Sequence, residues 1–215
     1  ERTAEALRGL VDNRLAAVVP LYGELPSEAQ DRALRPEPDG RRRIVLATNV
    51  AETSVTLEGI SAVVDTGLAR IARFDPGTSL DRLTRKRISR ASAHQRAGRA
   101  GRLGPGRCFR LWTQADQASL PERNTPEIRR VDLSAAVLQL LAWGEPDVAR
   151  FGWFEAPEGG RLERALELLG RLGAMSPSGG PTALGRRLAS LPLAPRLGRL
   201  LLEGEARGCV RRAAL

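Results

Sequence analysis

The sequence predicts an α/β domain built on a parallel sheet, with a β-hairpin inserted into it and a mostly helical domain after it. Two observations carry the first part: the apolar runs in RRIVLATN and ISAVVDTG do not alternate, and helical stretches separate the predicted strands. Continuous apolar runs of this length suit strands buried on both faces of a parallel sheet, and the α-β alternation suits helical crossovers between them. A third observation is that helical spacing takes over beyond about residue 120. At 215 residues and 42% hydrophobic content, the chain has enough apolar material for one large core or two smaller ones.

From the start, Ala4, Leu7, Leu10, Val11 and Leu15 recur at helical spacing, which predicts an amphipathic helix over residues 1–16. AAVVPL follows as a short strand, and PSEAQDRAL as a helix capped by Ser27. The two apolar runs come next. ARIARFDPGTSLDRLTRKRIS then places two extended segments around the turn-forming DPGTS, a hairpin. GRCFRLW is one more strand, and QADQASLPERNTPEIRR reads as an exit linker, so the first domain is expected to close near residue 120.

The second domain is predicted over 121–195. DLSAAVLQLLAWG has Asp132 as cap and Gly144 as stop, GRLERALELLGRLGAM is a second helix, SPSGGP a turn and TALGRRLASL a third helix. That order is compatible with a winged helix and equally with a small helical bundle. Residues 196–215 begin a further helix that has no predicted partner. With the opening ERTAEALRGL, which starts in mid-helix, this raises the expectation of a fragment.

Charge is distributed unevenly. The formal net charge is +9, and the nine Lys and Arg residues from Arg82 to Arg107, a span without Asp or Glu, equal that whole excess. Such a block suits a polyanion, nucleic acid or nucleotide phosphate, although a solvated basic face has the same composition. Lys86 is the only lysine and it lies in LTRKRIS, so no Walker A loop is present; His94 is the only histidine, which excludes His-rich metal clusters and places it as a helix-start residue. Cys108 and Cys209 are far apart and outside any CxxC, which predicts buried thiols in a reducing cytoplasm. No apolar run approaches a membrane span, and no signal-peptide layout opens the chain.

Two stretches carry chemistry. LATNVAETSVTLEGI follows a predicted strand with Thr48, Asn49, Thr53, Ser54 and Thr56, side chains that donate to phosphate oxygens and equally serve as caps at a strand-to-helix turn. ASAHQRAGRAGRLGPGR carries Gln95, Arg99 and Arg102, which share one face if Ala91 to Ala100 is helical. Arginines presented from one face suit bidentate phosphate contact, and they suit a solvated helix as well. Gly98 and Gly101 weaken a helix by about 1 kcal/mol each, which points to close packing or close ligand approach. A dinucleotide-binding enzyme is disfavoured because no GxGxxG follows a strand.

PLYGELPSEAQDRAL, LATNVAETSVTLEGI, VVDTGLAR and QRAGRAGR, in this order and spacing, closely resemble the second RecA-like domain of DEAH-box ATP-dependent helicases. PEIRRVDLSAAVLQLLAWG and LGRLGAM are similar to the winged-helix domain of that family, and RLGPGRCFRLW to bacterial members of the HrpB type. The resemblance implies a RecA-like domain over 1–120, a winged helix over 121–195 and the start of a ratchet-like helical domain over 196–215.

It also implies roles. Gln95, Arg99 and Arg102 would face ATP phosphates across a cleft, the two arginines as fingers that neutralise developing charge. Ser54, Thr56 and Asp65 would lie on the nucleotide side, and Leu34 would take the adenine position, where an aliphatic residue offers contact without stacking. Gly23, Thr48, Asn49 and Thr53 would meet the nucleic-acid backbone, and the hairpin between Arg70 and Ser89, with Arg70, Arg85 and Lys86, would separate strands. The implied partners are single-stranded RNA or DNA and ATP with Mg2+, whose ligands would lie on a first RecA-like domain outside this sequence; the implied state is a cytoplasmic monomer. A non-catalytic nucleic-acid-binding module is the rival reading.

Overall fold

The computed structural model describes residues 2–53, 55–75 and 77–214. The chain forms two compact units, Glu1–Ile71 with Thr84–Asn124, and Ala72–Leu83 with Thr125–Leu215.

The first unit opens with α1 (Arg2–Leu10), which is shorter than the periodicity predicts. The Asp12 carboxylate accepts the Arg14 N–H at 2.8 Å and the Asp12 carbonyl accepts the Leu15 N–H, a local turn that competes with the helix and leaves Leu10 and Leu15 exposed. β1 (Ala16–Leu21), α2 (Ser27–Leu34) and β2 (Arg42–Ala47) follow. Pro26, not Ser27, occupies the cap of α2, and Ser27 is its first helical residue. The remaining elements are α3 (Val50–Thr53), β3 (Ala62–Asp65), the hairpin strands β4 (Leu68–Asp75) and β5 (Leu80–Arg87), of which Ala72–Asp75 and Leu80–Leu83 count with the second unit, α4 (Arg90–Ala97), β6 (Arg107–Arg110) and α5 (Gln114–Ser119).

Both expected apolar runs are strands, and both pairs are parallel: β1 with β2 from Ala16↔Arg42 to Leu21↔Ala47, and β3 with β6 from Ala62↔Arg107 to Asp65↔Arg110. Burial on both faces does not follow: no residue of β2 is fully buried, and in β3 only Asp65 is. Val64 and Phe109, opposite one another, are 65% and 51% exposed. Val19, Leu21, Ala33 and Leu57 form the unit's core, with Leu34 and Val45 packed against it.

The expected exit linker contains a helix instead. The Thr113 hydroxyl accepts the Asp116 N–H at 3.0 Å, and the Asp116 carboxylate accepts the Thr113 N–H at 3.2 Å. This reciprocal capping satisfies two otherwise orphaned donors, so even the short, polar α5 is stable locally. Cys108 and Cys209 are free and half-buried rather than buried.

In the second unit, a 3-10 turn at Glu127–Arg129 leads into α6 (Ser134–Trp143), α7 (Gly159–Arg171), α8 (Ala183–Ala189), α9 (Pro195–Ala206) and α10 (Val210–Ala213). The Asp132 carboxylate accepts the Ser134 N–H at 2.8 Å, and Gly144 ends α6 at φ 107°, a conformation glycine adopts without a Cβ penalty. Val137, Leu138, Leu141, Leu169 and Leu188 fill the core. Between α7 and α8 the SPSGGP turn closes an antiparallel bridge, Met175↔Pro181. The last expected helix does have partners: a Cβ at Gly198 of α9 would lie 3.0 Å from Leu188 of α8, and one at Gly204 would lie 2.6 Å from the Ala213 side chain of α10. Among the described residues no helix is long and apolar enough to cross a membrane.

Candidate functional site

Parallel strands deliver functional side chains at their carboxyl ends, where the following chain turns away. β2 ends at Ala47 and hands over to Thr48 and Asn49, both exposed, before the single turn of α3 begins. Thr53 ends α3, and Ser54 lies outside the described residues. Thr56 is exposed, and its hydroxyl accepts from Arg102 Nη1 at 3.4 Å. Gly23, exposed after β1, has no atom within 4 Å of where a Cβ would sit, and its carbonyl accepts from Gln30 Nε2 at 3.2 Å.

α4 stops at Ala97, so Gln95, Arg99 and Arg102 do not share one helical face. Ser89 caps its start, where its hydroxyl accepts the Ser92 N–H at 3.1 Å. Gly98 closes its end, and His94 sits in the last turn rather than at the start. Gln95 remains exposed on the helix, whereas Arg99 and Arg102 come from the turns beyond it. Packing within the chain does not require the glycines singled out by sequence. A Cβ at Gly98 would make ordinary contact at 3.5 Å, and one at Gly101 would meet nothing within 4 Å.

The two arginines differ. Arg99 is only 9% exposed, and its guanidinium is spent on backbone carbonyls: Nε donates to Glu52 O at 2.9 Å, Nη1 to Val55 O at 2.6 Å, and Nη2 again to Glu52 O. It thereby satisfies one carbonyl of the four-residue α3, that of Glu52, and one in the loop that follows, that of Val55. Burial lowers the Arg99 pKa from the ordinary arginine value, the charge of Arg102 lowers it further, and Glu52 opposes both. Arg102 is exposed and touches only Thr56 among the contacts described. One arginine fastens the loop and the other is presented from it.

Asp65, expected on the nucleotide side, is 3% exposed, and its Oδ1 accepts the Gly67 N–H at 2.9 Å and Arg96 Nη1 at 3.0 Å. Gly67 needs its φ of 72° and its missing Cβ, which would come within 2.8 Å of the Trp112 ring. Asp65 is thus a structural acceptor at the root of the hairpin. Leu34 is half-buried and packs against the core of its unit. Arg70, Arg85 and Lys86 are exposed on β4 and β5, while Arg87 is paired with Asp116 at 3.0 Å.

Sequence reasoning missed Glu52, Ser92 and Arg96. Arg96 donates to Glu52 and to Asp65, both at 3.0 Å, and the Ser92 hydroxyl donates to the other Glu52 oxygen. The signal is present in the sequence: Glu52 is the only acid between Asp39 and Glu58, and Arg96 sits inside QRAGRAGR between Gln95 and Arg99. Among the described residues no group of three or more His, Cys, Asp or Glu side chains gathers as a metal site.

Comparison with known proteins fits this arrangement. Residues 2–104 match the helicase conserved C-terminal domain. The chain is 44% identical over 218 residues to the ATP-dependent RNA helicase HrpA of Escherichia coli, which covers 99% of this chain and 16% of that protein. It is 42% identical over 193 residues to the pre-mRNA-splicing factor ATP-dependent RNA helicase prp22 of Schizosaccharomyces pombe, covering 89% of this chain and again 16% of the relative. The crystal structure of the Escherichia coli DEAH/RHA helicase HrpB superposes with a TM-score of 0.83 at 41% identity, over 99% of this chain and 27% of that one. The chain therefore spans about a sixth of the length of the two helicases it matches in sequence.

Proposed function

We propose a function from one premise: this chain belongs to the DEAH-box helicase family of the DEAH/RHA type, and its residues 2–104 are the conserved C-terminal helicase domain. It is the part of an ATP-dependent RNA helicase that closes on a nucleotide held by another domain and grips a single strand. The observation that carries this reading is the division of labour between Arg99, stapled to the carbonyls of Glu52 and Val55, and Arg102, exposed beside the Thr56 hydroxyl.

An exposed guanidinium next to a hydroxyl is a donor set for anionic oxygens and fits the terminal phosphates of ATP. ATP supplies the phosphoanhydride whose cleavage drives the cycle. Arg102 neutralises charge as it develops, Thr56 limits its swing, and Arg99 ties the segment that carries Arg102 to the one that carries Thr56. The 215 residues contain no P-loop, so the nucleotide and its Mg2+ are held elsewhere in the protein, and this segment alone does not hydrolyse ATP. The first unit is the second RecA-like domain of the motor, and the second unit supplies the winged helix and the start of the following helical domain.

Thr48, Asn49 and the exposed Gly23 contact the strand's phosphates, with the exposed Arg70, Arg85 and Lys86 adding charge. Backbone contact of this kind makes sequence preference weak and salt dependence strong. The test is binding of a single-stranded RNA to the full-length protein over a salt series, with ATP hydrolysis followed in parallel. Changing Arg85 and Lys86 to alanine together is expected to flatten the slope of log K against log salt by about 1.4, roughly 0.7 per lost phosphate contact. An unchanged slope removes the hairpin from the interface. RNA binding without any RNA-dependent hydrolysis favours a non-catalytic binding module.

A further inference from the structure

Several segments distant in sequence meet on one side chain. Arg96, in the last turn of α4, donates through Nε to Glu52 of α3 at 3.0 Å and through Nη1 to Asp65 at the end of β3 at 3.0 Å. The same Nη1 donates at 3.0 Å to the carbonyl of Leu68, where the hairpin strand β4 begins. The second Glu52 oxygen accepts the Ser92 hydroxyl, so that carboxylate is held by α4 from two directions. Arg96, Glu52 and Asp65 have side chains 14%, 12% and 2% exposed, well shielded from water.

A planar guanidinium with its donors in a fixed fork can hold acceptors on different elements at set angles, which a lysine ammonium cannot do. In a shielded setting such bonds are strongly directional. Each acceptor sits on a segment with its own candidate contact. α3 directly follows Thr48 and Asn49, Leu68 is two residues from Arg70, and Arg96 is three residues before the buried Arg99. Arg99 in turn grips the carbonyl of the same Glu52 whose carboxylate Arg96 grips. A displacement of α3 or of the root of β4 thus reaches the turn carrying Arg102 through two guanidinium groups.

The geometry points to Arg96 and Glu52 as positioning residues that couple the nucleic-acid contacts at Thr48, Asn49 and the hairpin root to the placement of Arg102. This rests on the helicase reading above. A buried ion pair is a poor device for stability alone, because desolvation offsets most of its attraction. Its value here is the relative position it fixes.

The experiment measures ATP hydrolysis by the full-length protein with and without saturating single-stranded RNA, for the parent, Arg96→Lys and Glu52→Gln. In both variants the ratio of stimulated to unstimulated rate is expected to fall about tenfold, a common size for coupling between sites. The unstimulated rate is expected to stay within about threefold of the parent. The double variant Glu52→Gln with Arg96→Lys is expected to lose little more than either alone, because both break one path. A stimulation ratio kept within about threefold of the parent in both variants overturns the proposal, and so does a proportional loss of both rates, which marks a merely structural role. If Glu52→Gln does not yield folded protein, Ser92→Ala, which removes one contact to the same carboxylate, is read by the same ratio. A parent without any stimulation by RNA overturns the helicase reading itself, and this proposal with it.

Discussion

Arg102→Ala in the full-length protein is expected to lower the maximal rate of ATP hydrolysis by about a thousandfold, as for arginine fingers elsewhere. The KM for ATP is expected to move much less, since a group that acts on charge developing in the transition state lowers kcat more than it weakens ground-state binding. The basis is Arg102's exposure and its single contact to Thr56 at 3.4 Å, which leaves most of its donors for a ligand. Arg99→Ala gives a different signature. Its guanidinium serves the carbonyls of Glu52 and Val55, and orphaning buried carbonyls costs about 1–3 kcal/mol, so stability falls together with rate. Arg102→Lys keeps a charge at the exposed position and is expected to recover part of the activity, whereas Arg99→Lys loses the fork that spans two carbonyls. Steady-state kinetics with thermal denaturation of the four proteins separates the roles. Equal loss of stability in Arg102→Ala contradicts the assignment.

Gly106→Ala is the second large effect. A Cβ at this position would lie 1.9 Å from the Ala100 carbonyl oxygen and 2.4 Å from its carbonyl carbon, both backbone atoms that no rotamer change can move aside. Overpacking a core ordinarily costs about 1–3 kcal/mol, and a clash with backbone is expected at or above the top of that range. The segment pushed away lies between Arg99 and Arg102, so hydrolysis by the full-length protein is expected to fall along with stability. Gly101→Ala and Gly104→Ala serve as controls, because nothing lies within 4 Å of either Cβ. Denaturant unfolding that ranks Gly106→Ala with the controls shows that this close approach does not hold the loop.

The strands, the hairpin and the helices of the second unit were legible because each rests on a local signal: apolar runs, the DPGTS turn, helical spacing, and the Gly144 stop, which ends α6 at φ 107°. Helix ends were less so. α1 stops at Leu10 because Asp12 offers the backbone a competing turn, and α4 stops at Ala97 before the glycines, which removes the shared face proposed for Gln95, Arg99 and Arg102. Nor could the sequence separate an arginine that fastens carbonyls from one that is presented, since Arg99 and Arg102 occupy equivalent places in the repeat GRAGR. Only the third dimension brings Glu52 within reach of Arg96, 44 residues away.

The central claim is that Arg102 is offered to the nucleotide while Arg99 and the Arg96 network hold the loop. Its most direct measurement is a structure of the full-length protein with single-stranded RNA and a transition-state analogue of ATP hydrolysis. The Arg102 guanidinium is expected within hydrogen-bond distance, about 3 Å, of the analogue's terminal group. In the same structure Arg99 is expected to remain on the carbonyls of Glu52 and Val55. An Arg102 turned to solvent, or an Arg99 that has left those carbonyls to reach the phosphate in its place, would contradict it.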